Sequence, residues 1–195
     1  MELTLDLAKK WLQLFAKDIQ SQQGFLNELD TAIGDGDHGT NMVRGMQQVQ
    51  VLLQQDTASD LSALLKQAAF ALISKVGGAS GPLYGTALLD MSKYAQEHDS
   101  QLEALIQAGA SGIARRGQAQ VGDKTMLDIW QPVAHDLSQG QFNRQNLQQH
   151  LAATKDMEAH KGRASYLAER SIGHIDPGAQ SSEILFNNLL QVIGE

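Results

Sequence analysis

The sequence contains no cysteine. Disulfides, thiolate zinc sites and cysteine nucleophiles are therefore excluded. Basic residues are also scarce: 15 Lys and Arg against 22 Asp and Glu leave a net charge of -7. That balance repels nucleic acid and anionic membranes instead of releasing their counterions, so neither is an expected partner. No apolar run approaches the ~20 residues needed to span a bilayer. The opening stretch MELTLDLAKKWLQLF scatters charges among its apolar positions and has no small-residue cleavage site, unlike a signal peptide. The expectation is a cytoplasmic protein. Runs of β-branched residues are almost missing as well, which removes the usual material of strands.

What is present is helical periodicity. Leu3, Leu7, Trp11, Leu14 and Phe15 recur at helical spacing, as do Met42, Met46, Val49 and Leu53. Similar stripes run through Leu61 to Val76, Leu83 to Ala95, Leu102 to Ile113, Met126 to Leu137, Leu147 to Thr154 and Ile184 to Val192. Alanine, leucine and glutamine dominate these windows, and all are good helix formers. The predicted fold class is all-α, with about eight antiparallel up-and-down helices over roughly 3–20, 38–55, 60–76, 82–97, 100–116, 124–138, 143–160 and 180–193. The chain, 1–195, has the size of a single domain able to bury its own core. Pro82 suits a first helical turn. Pro132 falls inside a predicted helix and is expected to kink it near Asp128.

The connections are of two kinds. Those after the second, fourth and sixth predicted helices, DTAS, HDS and SQGQ, are short and bland. Those after the first, third, fifth and seventh are rich in glycine and charge: ELDTAIGDGDHG, GGASGPLYG, RRGQAQVGDKT and KGRASYLAERSIGHIDPGAQ. In an up-and-down bundle all four rich loops lie at one end, together with the N-termini of four helices. Unpaired N–H groups and positive dipole ends favour anions there, and glycines let a phosphate approach the main chain. For any one loop, capping and helix termination explain the same residues. Four such loops stacked at one rim point instead to a polyphosphate ligand.

The hexapeptide Gly34-Asp35-Gly36-Asp37-His38-Gly39 matches the spacing of a dinucleotide-binding turn, but it lacks the preceding apolar strand and the βαβ unit. As an EF-hand loop starting at Asp35 it places Met46 where a glutamate belongs. A Walker A sequence is absent. Asp30, Asp35 and Asp37 are instead three hard oxygen donors in a short loop, the ligand type that magnesium prefers alongside water and phosphate oxygens. A nucleoside diphosphate carries about three negative charges and the aspartates add three, so one or two divalent ions are needed to offset the repulsion. Taken singly, Asp37 reads as an N-cap, Asp30 as a solvated loop residue, His38 as a capping histidine, Met126 as core and Arg163 as a surface charge. In GDKTMLD, Asp123, Lys124 and Asp128 suggest a helix start with a phosphate-reaching lysine.

The segments LDTAIGDGDHGTNMVRG, VGGASGPLYGTA, RGQAQVGDKTMLDIW and KGRASYLAERSIGHIDPGAQSS, in that order, resemble the nucleotide-binding subunits of bacterial dihydroxyacetone kinases, in particular the phosphotransferase-system-dependent branch. The resemblance implies eight antiparallel helices on a circle, with the nucleotide and two magnesium ions at one rim. It implies that Asp30, Asp35 and Asp37 bind the two Mg2+ and that His38, Gly39, Thr40 and Asn41 contact the ADP or ATP. Ala79 and Ser80 would serve the phosphates, Gly117 and Met126 the nucleoside, and Arg163, Asp176, Pro177 and Gly178 would close over it. The resemblance further implies phosphoryl transfer by positioning and electrostatics, with no side chain as covalent catalyst. The implied partners are a subunit that holds dihydroxyacetone and a phosphohistidine-carrying phosphotransferase subunit, with the free-standing length favouring this branch over the fused ATP-dependent one. Two other roles stay open: the nucleotide module of a kinase for another polyol or a fatty acid, and a nucleotide-loaded co-regulator that a transcription regulator reads in its ADP form.

Overall fold

The computed structural model describes residues 1–194. Among them are nine α-helices: α1 (Leu5–Ser21), α2 (Gln23–Ile33), α3 (His38–Gln55), α4 (Leu61–Lys75), α5 (Ser80–Glu97), α6 (Leu102–Gly117), α7 (Leu127–Gln139), α8 (Arg144–Ala153) and α9 (Pro177–Ile193). Two 3-10 segments, Thr154–Asp156 and Arg163–Ser171, lie between α8 and α9. Among the described residues the only β-type pairing is one antiparallel bridge, Glu2 with Gln101. Among the described residues no helix is long and apolar enough to cross a membrane.

Side-chain caps start several of these helices by satisfying N–H groups that have no partner within the helix. Thr4 accepts from Leu7 N, Asp60 from Ala63 N, Asn143 from Asn146 N and Asp176 from Ala179 N. Pro177 takes the first position of α9, where a missing N–H is harmless. Pro132 lies inside α7, which continues through it. It is the sixth of the 13 residues of α7, so its missing N–H removes the partner of one carbonyl, that of Asp128.

Leaving α2 aside, each helix packs against its neighbour in the chain, and α9 closes the circle against α1. These eight ring helices are the eight that the apolar periodicity predicts. Their inward stripes form one apolar cluster that includes Trp11, Phe15, Met42, Leu65, Tyr84, Leu105, Trp130, Leu147 and Phe186. The closure between α9 and α1 carries a buried hydrogen bond from Trp11 Nε1 to the Leu185 carbonyl, 2.7 Å.

The structure departs from the sequence expectation in two places. Residues 23–33 form α2 instead of a loop, set on α3 and α9. The predicted helix over 143–160 stops at Ala153. Beyond it, the carbonyls of Lys155 and Met157 accept from Lys124 Nζ, and Thr154 Oγ1 accepts from Asp176 N. Tertiary partners thus take the groups that a further helical turn would use.

Candidate functional site

The end of the ring where α3, α5, α7 and α9 begin holds a cavity of about 410 Å³. Its wall draws on all four rich connections: the α2–α3 turn, residues 77–80, the start of α7 with the end of α6, and the long segment between α8 and α9. Four helix N-termini at one concavity make it a place for negative charge.

One wall is acidic. Asp30 lies on the buried face of α2 with Leu26 and Ile33. Its Oδ2 accepts from the backbone N–H groups of Asp37, 2.8 Å, and His38, 3.1 Å, so it caps α3 from a neighbouring helix. Asp37, at the N-cap position, makes no side-chain cap bond of its own. Gly34 permits the wrap: a Cβ there would stand 2.1 Å from Asp30 Oδ1. Asp35 is half-exposed and pairs with Arg163, Oδ2 to Nη2 2.8 Å. Oxygens of Asp30, Asp35 and Asp37 lie within 4.8 Å of one another. Three hard, closely set donors, one held rigid by two backbone N–H groups, fit a divalent cation that keeps further positions for water or phosphate.

Beneath the cavity, behind His38 and Ser80 of its wall, runs a buried polar chain. His38 Nε2 lies 2.9 Å from Ser181 Oγ, and its Nδ1 lies 3.2 Å from Ser80 Oγ. Tyr84 Oη is 2.9 Å from both Ser181 Oγ and Ser182 Oγ, and Trp130 Nε1 donates to Ser182 Oγ at 3.1 Å. Burial lowers the His38 pKa to about 4, against the opposing pull of Asp30 and Asp37, so the ring is neutral near pH 7. Burial raises the Tyr84 phenol above its ordinary value.

The remaining wall contains Lys124 and Asp176. Lys124 is buried, with Nζ donating to the carbonyls of Lys155, Met157 and Ser171 at 3.4, 3.0 and 2.8 Å. All three ammonium donors are thereby engaged, so Lys124 anchors the segment after α8 instead of reaching a phosphate. Its pKa is lowered by burial. Asp128 accepts from Gly122 N and Thr125 N and is pushed up by burial. Asp176 caps α9 through Ala179 N, 2.7 Å, and burial raises its carboxyl to about 7.

Of the residues singled out in the sequence, Asp30, Asp35, Asp37, His38, Asn41, Ala79, Ser80, Gly117, Met126, Arg163, Asp176, Pro177 and Gly178 all line this cavity. Gly39 and Thr40 do not. Gly39 meets α2, where a Cβ would stand 2.1 Å from the Gln23 carbonyl oxygen, and Thr40 Oγ1 accepts from Gln23 Nε2 and Asn27 Nδ2. Both serve the α2–α3 contact. Tyr84, Trp130, Ser181 and Ser182 escaped sequence reasoning. Their only trace was a pair of serines placed where α9 should be apolar.

The sequence profile described as the DAK2 domain matches residues 32–191. The chain belongs to the DAK2 family. Among DAK2 relatives, the Lactococcus lactis protein named PTS-dependent dihydroxyacetone kinase, ADP-binding subunit DhaL, is 51% identical over 191 residues, covering 98% of this chain and 99% of its own. The Escherichia coli PEP-dependent dihydroxyacetone kinase, ADP-binding subunit DhaL, is 40% identical, covering 93% of each chain. Among solved structures, the C. freundii dihydroxyacetone kinase in complex with AMP-PNP and Mg2+ superposes with a TM-score of 0.78 at 24% identity, over 98% of this chain and 34% of that one. At that identity the likeness establishes the DAK2 chain's fold, the ring of antiparallel helices.

Proposed function

We propose that this DAK2 chain, acting as one domain, is the ADP-binding subunit of a phosphotransferase-system-dependent dihydroxyacetone kinase of the cytoplasm. The observation that carries the reading is the pairing, at one cavity, of four helix N-termini with three carboxylates whose oxygens lie within 4.8 Å. Helix ends alone suit an anion and carboxylates alone suit a cation; together they suit a metal-bound polyphosphate. The names of the full-length relatives support the same assignment.

Asp30, Asp35 and Asp37 would hold two Mg2+. When bound, the Mg-nucleotide supplies a carrier for a phosphoryl group, accepted from a phosphohistidine subunit and yielded to dihydroxyacetone on a third chain, with charge neutralised by the metal. The protein's own part is to orient and to exclude water. Asp30 is held by two backbone N–H groups, Ser80 offers a hydroxyl at the start of α5, and Arg163 presents a planar fork suited to phosphate oxygens. Met126, buried at the start of α7, gives the cavity an apolar surface for the nucleoside.

The test is to denature the purified protein and measure what it releases. The expected result is ADP and magnesium in stoichiometric amounts, with no turnover by the chain alone. Release of neither, together with no calorimetric binding of added Mg-ADP, would overturn the reading.

A further inference from the structure

Counting protons gives the chain of hydroxyls beneath the cavity a direction as far as Ser181, and the shorter of that serine's two contacts gives the last step. Trp130 Nε1 can only donate, and it reaches Ser182 Oγ. Ser182 is fully buried, and among the described residues its one hydroxyl proton has a single acceptor in reach, Tyr84 Oη. If Tyr84 donated to Ser182 instead, the Ser182 proton would be buried without a partner, a costly arrangement. Ser182 therefore donates to Tyr84, and the Tyr84 hydroxyl proton is left for Ser181 Oγ. Ser181 then has one proton to give. Its Oγ stands 2.9 Å from His38 Nε2 and 3.1 Å from the Gly178 carbonyl, which lies within the first turn of α9 and is already served by the helix ladder. Donation to Nε2 is the shorter contact. It makes Nε2 the acceptor and places the ring hydrogen on Nδ1, 3.2 Å from Ser80 Oγ.

The consequence falls on Ser80, which lines the cavity at the start of α5. A Ser80 oxygen that accepts from Nδ1–H keeps its own proton for the cavity. In the opposite tautomer Ser80 spends that proton on the imidazole and presents only lone pairs. A phosphate oxygen is an acceptor, so only the first arrangement binds it. We propose that Trp130, Ser182, Tyr84 and Ser181 form a positioning relay that fixes His38 as its Nδ1–H tautomer and thereby aims the Ser80 hydroxyl proton at a phosphate oxygen of the bound nucleotide. The proposal rests on the nucleotide reading of the cavity. The four relay residues touch no ligand; they act through His38 and Ser80.

The test uses the whole protein and two readouts. Nitrogen-15 NMR of the imidazoles, with His38 assigned by its loss in His38→Gln, reads the tautomer; titration calorimetry with Mg-ADP reads affinity. Wild type is expected to show His38 as Nδ1–H. Tyr84→Phe, which removes only the relay hydroxyl, is expected to mix the tautomers and weaken Mg-ADP binding ~10-fold, the size of one hydrogen bond to a charged group. Ser181→Ala should do the same, and Ser181→Thr, which keeps the hydroxyl, should restore both readouts. A wild-type His38 in the Nε2–H form overturns the relay, as does a folded Tyr84→Phe with unchanged tautomer and affinity. If Tyr84→Phe does not fold, the wild-type tautomer still decides. Failure of wild type to bind Mg-ADP would instead strike the nucleotide reading, leaving the tautomer to judge the relay by itself.

Discussion

Asp30 and Asp35 stand side by side in the acidic wall yet differ in what the fold asks of them. Asp30 is buried and satisfies two backbone N–H groups, whereas Asp35 is half-exposed and holds one ion pair with a solvent-exposed arginine. Removing Asp30 leaves two donors without their acceptor, a loss of about 1–3 kcal/mol. Removing Asp35 forfeits an exposed ion pair, worth about 0–1 kcal/mol. Asp35→Ala is therefore expected to abolish metal-dependent nucleotide retention while its ligand-free Tm stays close to wild type; Asp30→Ala should lose both. Melting curves beside the release assay separate the two, and a large fall in Tm for Asp35→Ala would contradict the assignment. Asp176 adds a pH signature. Its folded pKa, about 7, lies above the ordinary carboxyl value of 3.8, so the native state keeps a proton that the unfolded chain gives up. The stabilisation is complete below about pH 4 and is lost as pH rises through 7. Asp176→Asn retains an acceptor for Ala179 N, and the ligand-free variant should gain Tm relative to wild type as pH is raised from 5 to 8. His38 works in the opposite sense: its folded pKa is depressed, so its contribution is present above about 6.5 and fades as pH falls toward 4.

At the scale of elements, α2 shows how a functional residue hides a helix. Its buried positions are Leu26, Asp30 and Ile33, a helical spacing with an aspartate at its centre. Read for apolarity, the stripe breaks where the site begins. The segment after α8 hides for the reverse reason: its residues continue a passable helical pattern, but distant partners claim their backbone. Lys124 is the chief of these, holding three carbonyls from residues 155, 157 and 171. Lys124→Met keeps the stem's packing and withdraws the ammonium, leaving those carbonyls without their donor. Limited proteolysis should then cut within residues 154–175 well before the ring helices, at a rate faster than in wild type; an unchanged cleavage pattern would show that the segment does not depend on the lysine. The four relay residues were illegible for a different reason. Serine and tyrosine on inward helical faces look like ordinary interruptions of a core, and only the distances among three helices and the ring of His38 reveal a connected chain.

At the scale of the molecule, the architecture was the more legible part. Bland connections alternating with rich ones already place four loops at one end, because consecutive antiparallel helices leave no other arrangement. The carboxylates stood out because a glycine-rich anion loop has no use for them without a cation. What the alternation could not convey is the interior: which side chains pass beneath the rim and how the circle closes. That closure has a kinetic meaning. The seam joins Trp11 to Leu185, 174 residues apart, and the helix on its far side, with its cap Asp176, also supplies Pro177 and Gly178 to the cavity wall and Ser181 and Ser182 to the polar chain beneath it. Contacts of such long range form late, since the intervening chain must first surrender its freedom. A nascent polypeptide emerging from the ribosome can build the neighbouring helix pairs one after another, yet it possesses no working pocket until its last helix docks. The proposed nucleotide site is therefore complete only in the closed ring, because residues 176–178 reach the cavity only when that helix is in place.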